Sequence, residues 1–254
     1  MPQAKTAGEC DSEKRRDTER RLKQAENRKA WQASGRALIA GYVDSFSLMT
    51  LGVYASFMSG NTTSAGLYIG QTNIAKAAHS LLPIPCFVLG IVLGTFILQM
   101  NEDLGLTRVS LLVSAFLALG IVALKYSEPQ WLSVIVLSTA MGAMNTTITH
   151  VGRQRVSLGY VTGDLSSLGK HLAGGFKGDA VQDAEGPWDT HWRRTILLAA
   201  IWFSFFLGAV IGAEMAFRIA VWALLVPIVL LLVSVIAYRA NPFRRDRREV
   251  FSER

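Results

Sequence analysis

The chain has 254 residues, half of them apolar, and only 18% are Asp, Glu, Lys or Arg, against roughly 25% in soluble domains. Residues 1–36 hold ten Lys or Arg and six Asp or Glu, whereas residues 195–213 and 219–238 hold no charge. Uncharged apolar runs of about 20 residues are what a helix needs to cross about 30 Å of hydrocarbon, so an ordinary soluble domain is excluded. The net charge of +7 sits at the chain ends and in one loop, where a bilayer places it, which argues against nucleic acid as a partner. Two cysteines, Cys10 and Cys86, make neither a disulfide framework nor a zinc ligand set. The first 30 residues lack an apolar core, which predicts no cleavable signal peptide.

In chain order, a charged tail over 1–35 precedes six predicted spans at about 37–57, 82–101, 107–124, 130–149, 195–213 and 219–238. Residues 9–30 alternate both signs of charge, as a solvated helix or a disordered tail does. Pro83 and Pro85 fall in the first turns of the second span, where proline is tolerated, and Pro227 is expected to kink the sixth. The stretch 45–75 is uncharged for 31 residues, too long for one crossing, and predicts a re-entrant or extra short helix after residue 57. Lys and Arg number 10 in residues 1–36, 1 at Arg108, 6 in 150–194 and 6 in 239–254, against Lys76, Lys125 and Arg218 on the other side. This split of 23 to 3 places both termini in the cytoplasm. The cluster Arg244, Arg245, Arg247 and Arg248 then serves as a topology anchor or a contact for anionic lipid.

The chain repeats itself. Gly41-Tyr42-Val43-Asp44, followed by Met58-Ser59-Gly60-Asn61 and Gly66, parallels Gly142-Ala143-Met144-Asn145, followed by Val161-Thr162-Gly163-Asp164 and Gly169. Leu89-Gly90 with Gly94 parallels Leu207-Gly208 with Gly212. Two copies of an odd number of spans enter the membrane from opposite sides, so the fold class expected is an all-α integral membrane protein of two inverted three-helix repeats, 36–126 and 127–238, with a basic tail at 239–254. Broken or re-entrant segments follow helices 1 and 4. An alternative in which 62–80 and 156–175 also cross gives eight spans and parallel halves.

The residues Gly41 to Gly66, with Leu51-Gly52 and Ser59-Gly60-Asn61, together with Asn145 and Val161-Thr162-Gly163, resemble the YoaK-like family of uncharacterised bacterial membrane proteins over about residues 36–240. That family usually carries Thr where Ser59 stands, and often Gln where Met144 stands. The resemblance implies a multi-span inner-membrane protein and supplies no substrate or reaction.

Asp44 is the sole ionisable residue inside the first span, and an intramembrane carboxylate is a functional candidate unless it serves as a packing tether. Its repeat mate is Asn145. Ser59, Gly60, Asn61 and Thr62, with Thr162, Gly163 and Asp164, read as helix breaks followed by capped helix starts, a geometry that binds polar or anionic solutes. The Gly90/Gly94 and Gly208/Gly212 pairs read as packing surfaces. His79, His150, His171 and His191 show no metal-ligand spacing and read as solvated or helix-end residues, and Glu214 with Arg218 as an i, i+4 pair. No nucleophile with its base, metal cluster or nucleotide loop marks an enzyme, and no cofactor or metal is expected. The expected function is a small permease, transporter or channel, for a small polar or anionic solute, with a non-transporting scaffold or regulatory subunit as the alternative. Its expected partners are membrane lipids, that solute and a second copy of the chain.

Overall fold

The computed structural model describes residues 7–100, 104–126, 130–156 and 161–240, so the arginine cluster at 244–248 lies outside the described residues. Nine α-helices order as α1 (Ala7–Leu51), α2 (Met58–Gly70), α3 (Ile74–Leu81), α4 (Pro83–Met100), α5 (Gly105–Tyr126), α6 (Trp131–Asn145), α7 (Val161–Lys177), α8 (His191–Ile219) and α9 (Leu225–Arg239) among the described residues. A two-residue antiparallel pair, β1 (His150–Val151) with β2 (Gln154–Arg155), sits between α6 and α7. Three helical runs, 74–100, 105–126 and 191–239, are long and apolar enough to cross a membrane, and α6 is a shorter apolar helix.

Two corrections to the predicted elements have local causes. The first helix ends at Leu51 rather than near 57, because Gly52 takes φ +72° and donates its N–H to Leu48 O at 3.0 Å. This left-handed close of a helix is a glycine conformation. Pro227 does not fall at mid-helix, and the interruption lies just before it. The break falls earlier, where Ala220 takes φ +48° and a 3₁₀ turn covers Ala220–Leu224, so α9 starts at Leu225 with Pro227 in its first turn. There the missing N–H costs nothing. The charged tail joins the first predicted span without interruption, as α1 runs through Arg36 for 45 residues. Its first thirty residues are rich in Ala, Glu, Lys, Arg and Gln, the strong helix formers, with no proline to stop them.

The chain forms two compact units. One comprises 1–38 and 148–205. Its core is Ala33 and Ala37 of α1, Ile148, Val151 and Val156 around the strand pair, and Leu198 and Ile201 of α8. Spacing of three to four residues puts each helical set on one face. The loop between α7 and α8 is pinned by Arg194, which forks onto Asp189 at 2.7 and 2.9 Å and reaches Asp183 at 2.9 Å. Glu26 of α1 accepts from Trp188 Nε1 at 3.1 Å and pairs with Arg193 at 3.1 Å.

The other unit comprises 39–147 and 206–254. Helices α4 and α6 cross at Gly90 and Gly142: a Cβ on Gly90 would stand 2.1 Å from Thr139 O, and one on Gly142 would stand 2.0 Å from Phe87 O. Such backbone contact is how helices associate where apolar burial offers no advantage over lipid. The buried hydroxyls of Ser114 and Thr139 are satisfied within their own helices, on Ser110 O and Ile135 O. Val88, Val92 and Phe96 of α4 and Val229, Val233 and Ile236 of α9 are exposed, a surface suited to hydrocarbon rather than water.

Candidate functional site

The break between α1 and α2 gathers Asp44, Gly60 and Asn61 of the predicted site residues. Six residues, 52–57, leave the helix, and their backbone groups need partners that lipid does not supply. Asp44, about two helical turns before the break, is buried and accepts two hydrogen bonds from Ser56, from its N–H and its Oγ–H, each at 2.6 Å. Asn61, one turn into α2, is likewise buried and clasps the same loop, accepting from Tyr54 N–H at 2.9 Å and donating Nδ2–H to Tyr54 O at 2.7 Å. Ser47 donates to Val53 O at 2.8 Å, and His79 Nε2 lies 2.8 Å from Leu51 O, the donor by necessity since its partner is a carbonyl. Side chains of α1, α2 and α3 thus replace the backbone ladder that the interruption removes.

Asn61 does not cap α2: the N-cap is Phe57 without a side-chain cap, and the amide turns back to the loop instead. Gly60 makes room for Phe57, whose ring meets Tyr54 edge to face at 5.2 Å; a Cβ at Gly60 would stand 2.4 Å from Phe57 Cδ1. Ser59, Thr62 and Thr63 point outward along α2, the two threonine hydroxyls donating to Met58 O and Ser59 O. The exposed face of this apolar helix is therefore hydroxyl-rich, although each threonine proton is already committed.

Asn145, the last residue of α6, keeps its Oδ1 buried with no hydrogen-bond partner among the described residues. Where Asp44 is doubly paired, Asn145, which aligns with it in the sequence motif, retains that acceptor unused. Thr162, Gly163 and Asp164 stand in the first turn of α7, within the unit formed by 1–38 and 148–205, with Asp164 buried. An acidic side chain there opposes the positive end of the helix favourably.

Several polar groups have no precedent in the motif pattern. Ser56 and Tyr54, which Asp44 and Asn61 hold, were legible only from the principle that a broken helix must find backbone partners. His171 and His191 are not isolated helix-end residues, because their Nδ1 atoms meet at 2.9 Å. Burial, reinforced by the charges of Arg194 and His191, lowers the His171 pKa below its usual value. Burial by itself pushes the Asp189 carboxyl up, but the hydrogen bonds and charge of Arg194 prevail and hold it below the usual carboxylate range. Glu214 and Arg218 do pair on the surface of α8. Among the described residues no group of three or more His, Cys, Asp or Glu is arranged to hold a metal ion.

Long apolar helices, lipid-suited surfaces and an interrupted helix stitched by buried polar side chains define a multi-helix transmembrane protein. The chain belongs to the family described as Protein of unknown function (DUF1275), which matches residues 33–237. It is similar to UPF0700 transmembrane protein RA0705 of Rhizobium meliloti (strain 1021), 33% identical over 217 residues that cover 85% of this chain and 88% of the relative. It is also similar to UPF0700 transmembrane protein YoaK of Bacillus subtilis (strain 168), 28% identical over 207 residues covering 76% and 87%. No solved structure matches it.

Proposed function

We propose that this protein is a small permease of the inner membrane, a secondary transporter or channel rather than an enzyme, and that it moves a small polar or anionic solute. In this reading six spans form two inverted repeats, both termini face the cytoplasm, and the solute passes the broken helices that follow the first and fourth spans. The observation that carries it is the interruption at 52–57, held by Asp44 and Asn61. Non-helical backbone inside a membrane is tolerated where it is buried in protein or lines a cavity, and discontinuous helices are where transporters place their sites. Between Arg36 and the break, residues 37–51 give α1 15 residues to cross with, about 22 Å at 1.5 Å per residue, which is short of the hydrocarbon thickness. Helix α6, also 15 residues, is equally short and occupies the corresponding place in the second repeat. The unpaired Oδ1 of Asn145 adds an acceptor suited to a solute donor.

A second reading is favoured by a specific feature. Asp44 has both oxygens engaged by Ser56, as a tether would, and a scaffold or regulatory subunit needs no more than that. Water access separates the two. A single cysteine at position 145, in a background where Cys10 and Cys86 are serine, reacts with a small membrane-impermeant thiol reagent if a solute path reaches Asn145, and stays unreacted in the scaffold.

A further inference from the structure

We infer that His171 and His191 form a binding site for one borderline divalent transition-metal ion, such as Zn²⁺, Ni²⁺ or Co²⁺. The two residues come from different helices, α7 and the first position of α8, and their Nδ1 atoms face one another at 2.9 Å. Gln154 of β2 fixes the tautomer of the first ring. Its Nε2 donates to Arg155 O at 2.9 Å, so its Oε1 is the atom that meets His171 Nε2 at 2.8 Å. That contact requires the His171 proton on Nε2 and leaves Nδ1 bare. Histidines that ligate metals characteristically donate their other N–H to an oxygen in this way, which orients the ring and raises its basicity.

In the metal-free pair His191 donates Nδ1–H to the bare Nδ1 of His171. Moving that proton to His191 Nε2 turns two lone pairs toward one point. Tetrahedral coordination at about 2.05 Å puts two nitrogens about 3.3 Å apart, so the rings need to part by a few tenths of an ångström and to tilt until both lone pairs converge off the N–N line. Coordination comes from two imidazoles, with water completing it, since no third His, Cys, Asp or Glu is arranged as a ligand among the described residues. Gly174 supplies the seat of His191. A Cβ there would stand 2.7 Å from Cε1 and 2.9 Å from Nδ1 of that ring.

The test uses the full chain without a histidine tag, stripped with EDTA in detergent and titrated calorimetrically with Zn²⁺ at pH 7.5 and pH 5.5. One Zn²⁺ per chain is expected to bind saturably at pH 7.5 and to bind more weakly at pH 5.5, because metal binding to imidazole competes with protons. His171→Ala and His191→Ala should abolish it, and Gln154→Ala should weaken it about 10- to 100-fold. His150→Ala, which alters an exposed ring bonded to its neighbour Thr149, should leave it unchanged. Because the alanine variants remove an interhelical contact, Gly174→Ala is the companion variant: both imidazoles remain and the helix gains propensity, yet binding should fall. Wild-type protein without saturable Zn²⁺ binding, or binding that survives both histidine substitutions, overturns the site and leaves a hydrogen-bonded pair.

Discussion

Replacing Asp44 by alanine probes the interrupted helix most sharply. The substitution removes both acceptors of Ser56, whose N–H and Oγ–H are then left in a position only 5% exposed. A buried donor left without its acceptor costs about 1–3 kcal/mol, so the two together predict a loss of about 2–5 kcal/mol, tempered because the hydroxyl can rotate to another acceptor. Asp44→Asn is far milder. Its Oδ1 can accept from Ser56 N–H while its Nδ2 donates to Ser56 Oγ, which keeps two hydrogen bonds and surrenders only their charge assistance, about 1 kcal/mol. Ser56→Ala removes one hydrogen bond to a carboxylate and should cost about 1.5–3 kcal/mol. The assay is reversible unfolding of the purified protein in mixed micelles, with Asp44→Asn, Ser56→Ala and the double variant forming a cycle. The expected order of destabilisation is Asp44→Ala above Ser56→Ala above Asp44→Asn, with a coupling of at least 0.5 kcal/mol between positions 44 and 56. An alanine at 44 that leaves stability unchanged, or additive single effects, refutes the assignment of Asp44 as the holder of the loop. If Asp44 also couples transport to protons, Asp44→Asn keeps the fold and loses accumulation.

Asn61→Asp should be more damaging than its near-identical shape suggests, because a carboxylate accepts from Tyr54 N–H but faces Tyr54 O without a proton to donate; unfolding midpoints of the Asp, Ala and wild-type proteins check this. Gly142→Ala puts a methyl group 2.0 Å from Phe87 O and should destabilise by about 1–3 kcal/mol or more, whereas Gly66→Ala, with open space at the Cβ, should be neutral or stabilising in the same assay. Asp189 has its pKa lowered in the fold, so its pairing with Arg194 contributes stability above the ordinary carboxylate range and loses it as pH falls through the folded value. Unfolding measured from pH 7 to pH 3 should therefore show the gap between wild type and Asp189→Asn closing at the acid end. Impermeant cysteine labelling in intact cells should reach positions beside Lys76 and Lys125 and miss those beside Lys177, and ready labelling at Lys177 removes the six-span inverted scheme.

Hydropathy located α4 and α5 well, because burial in lipid demands little more than apolar length: α4 at 83–100 and α5 at 105–126 fall within one or two residues of the predicted spans. The break at 52–57 was harder to see. Val53, Tyr54, Ala55 and Phe57 are as apolar as the helix they interrupt, so an average over side chains cannot register a backbone that leaves the helix at Gly52. Asp44 stood out as a charge in an apolar run, but its partner Ser56 is an ordinary residue twelve positions away that only the loop geometry brings back. The repeat singled out Asn61 as a cap of a new helix, whereas its amide clasps the loop at Tyr54, since side-chain caps and loop clasps use the same group. His171 and His191 are twenty residues apart on separate helices, a separation that follows no helical period and leaves no trace in the sequence.

Solute flux through reconstituted vesicles tests the permease reading most directly. Proteoliposomes and matched empty liposomes are shocked osmotically with a panel of small polar and anionic solutes, and their volume recovery is followed by light scattering. The account predicts faster recovery than in empty liposomes for at least one solute class, with the acceleration reduced when position 145 carries a modified cysteine. Recovery indistinguishable from that of empty liposomes for every solute, with a folded and inserted protein, contradicts it and favours the scaffold.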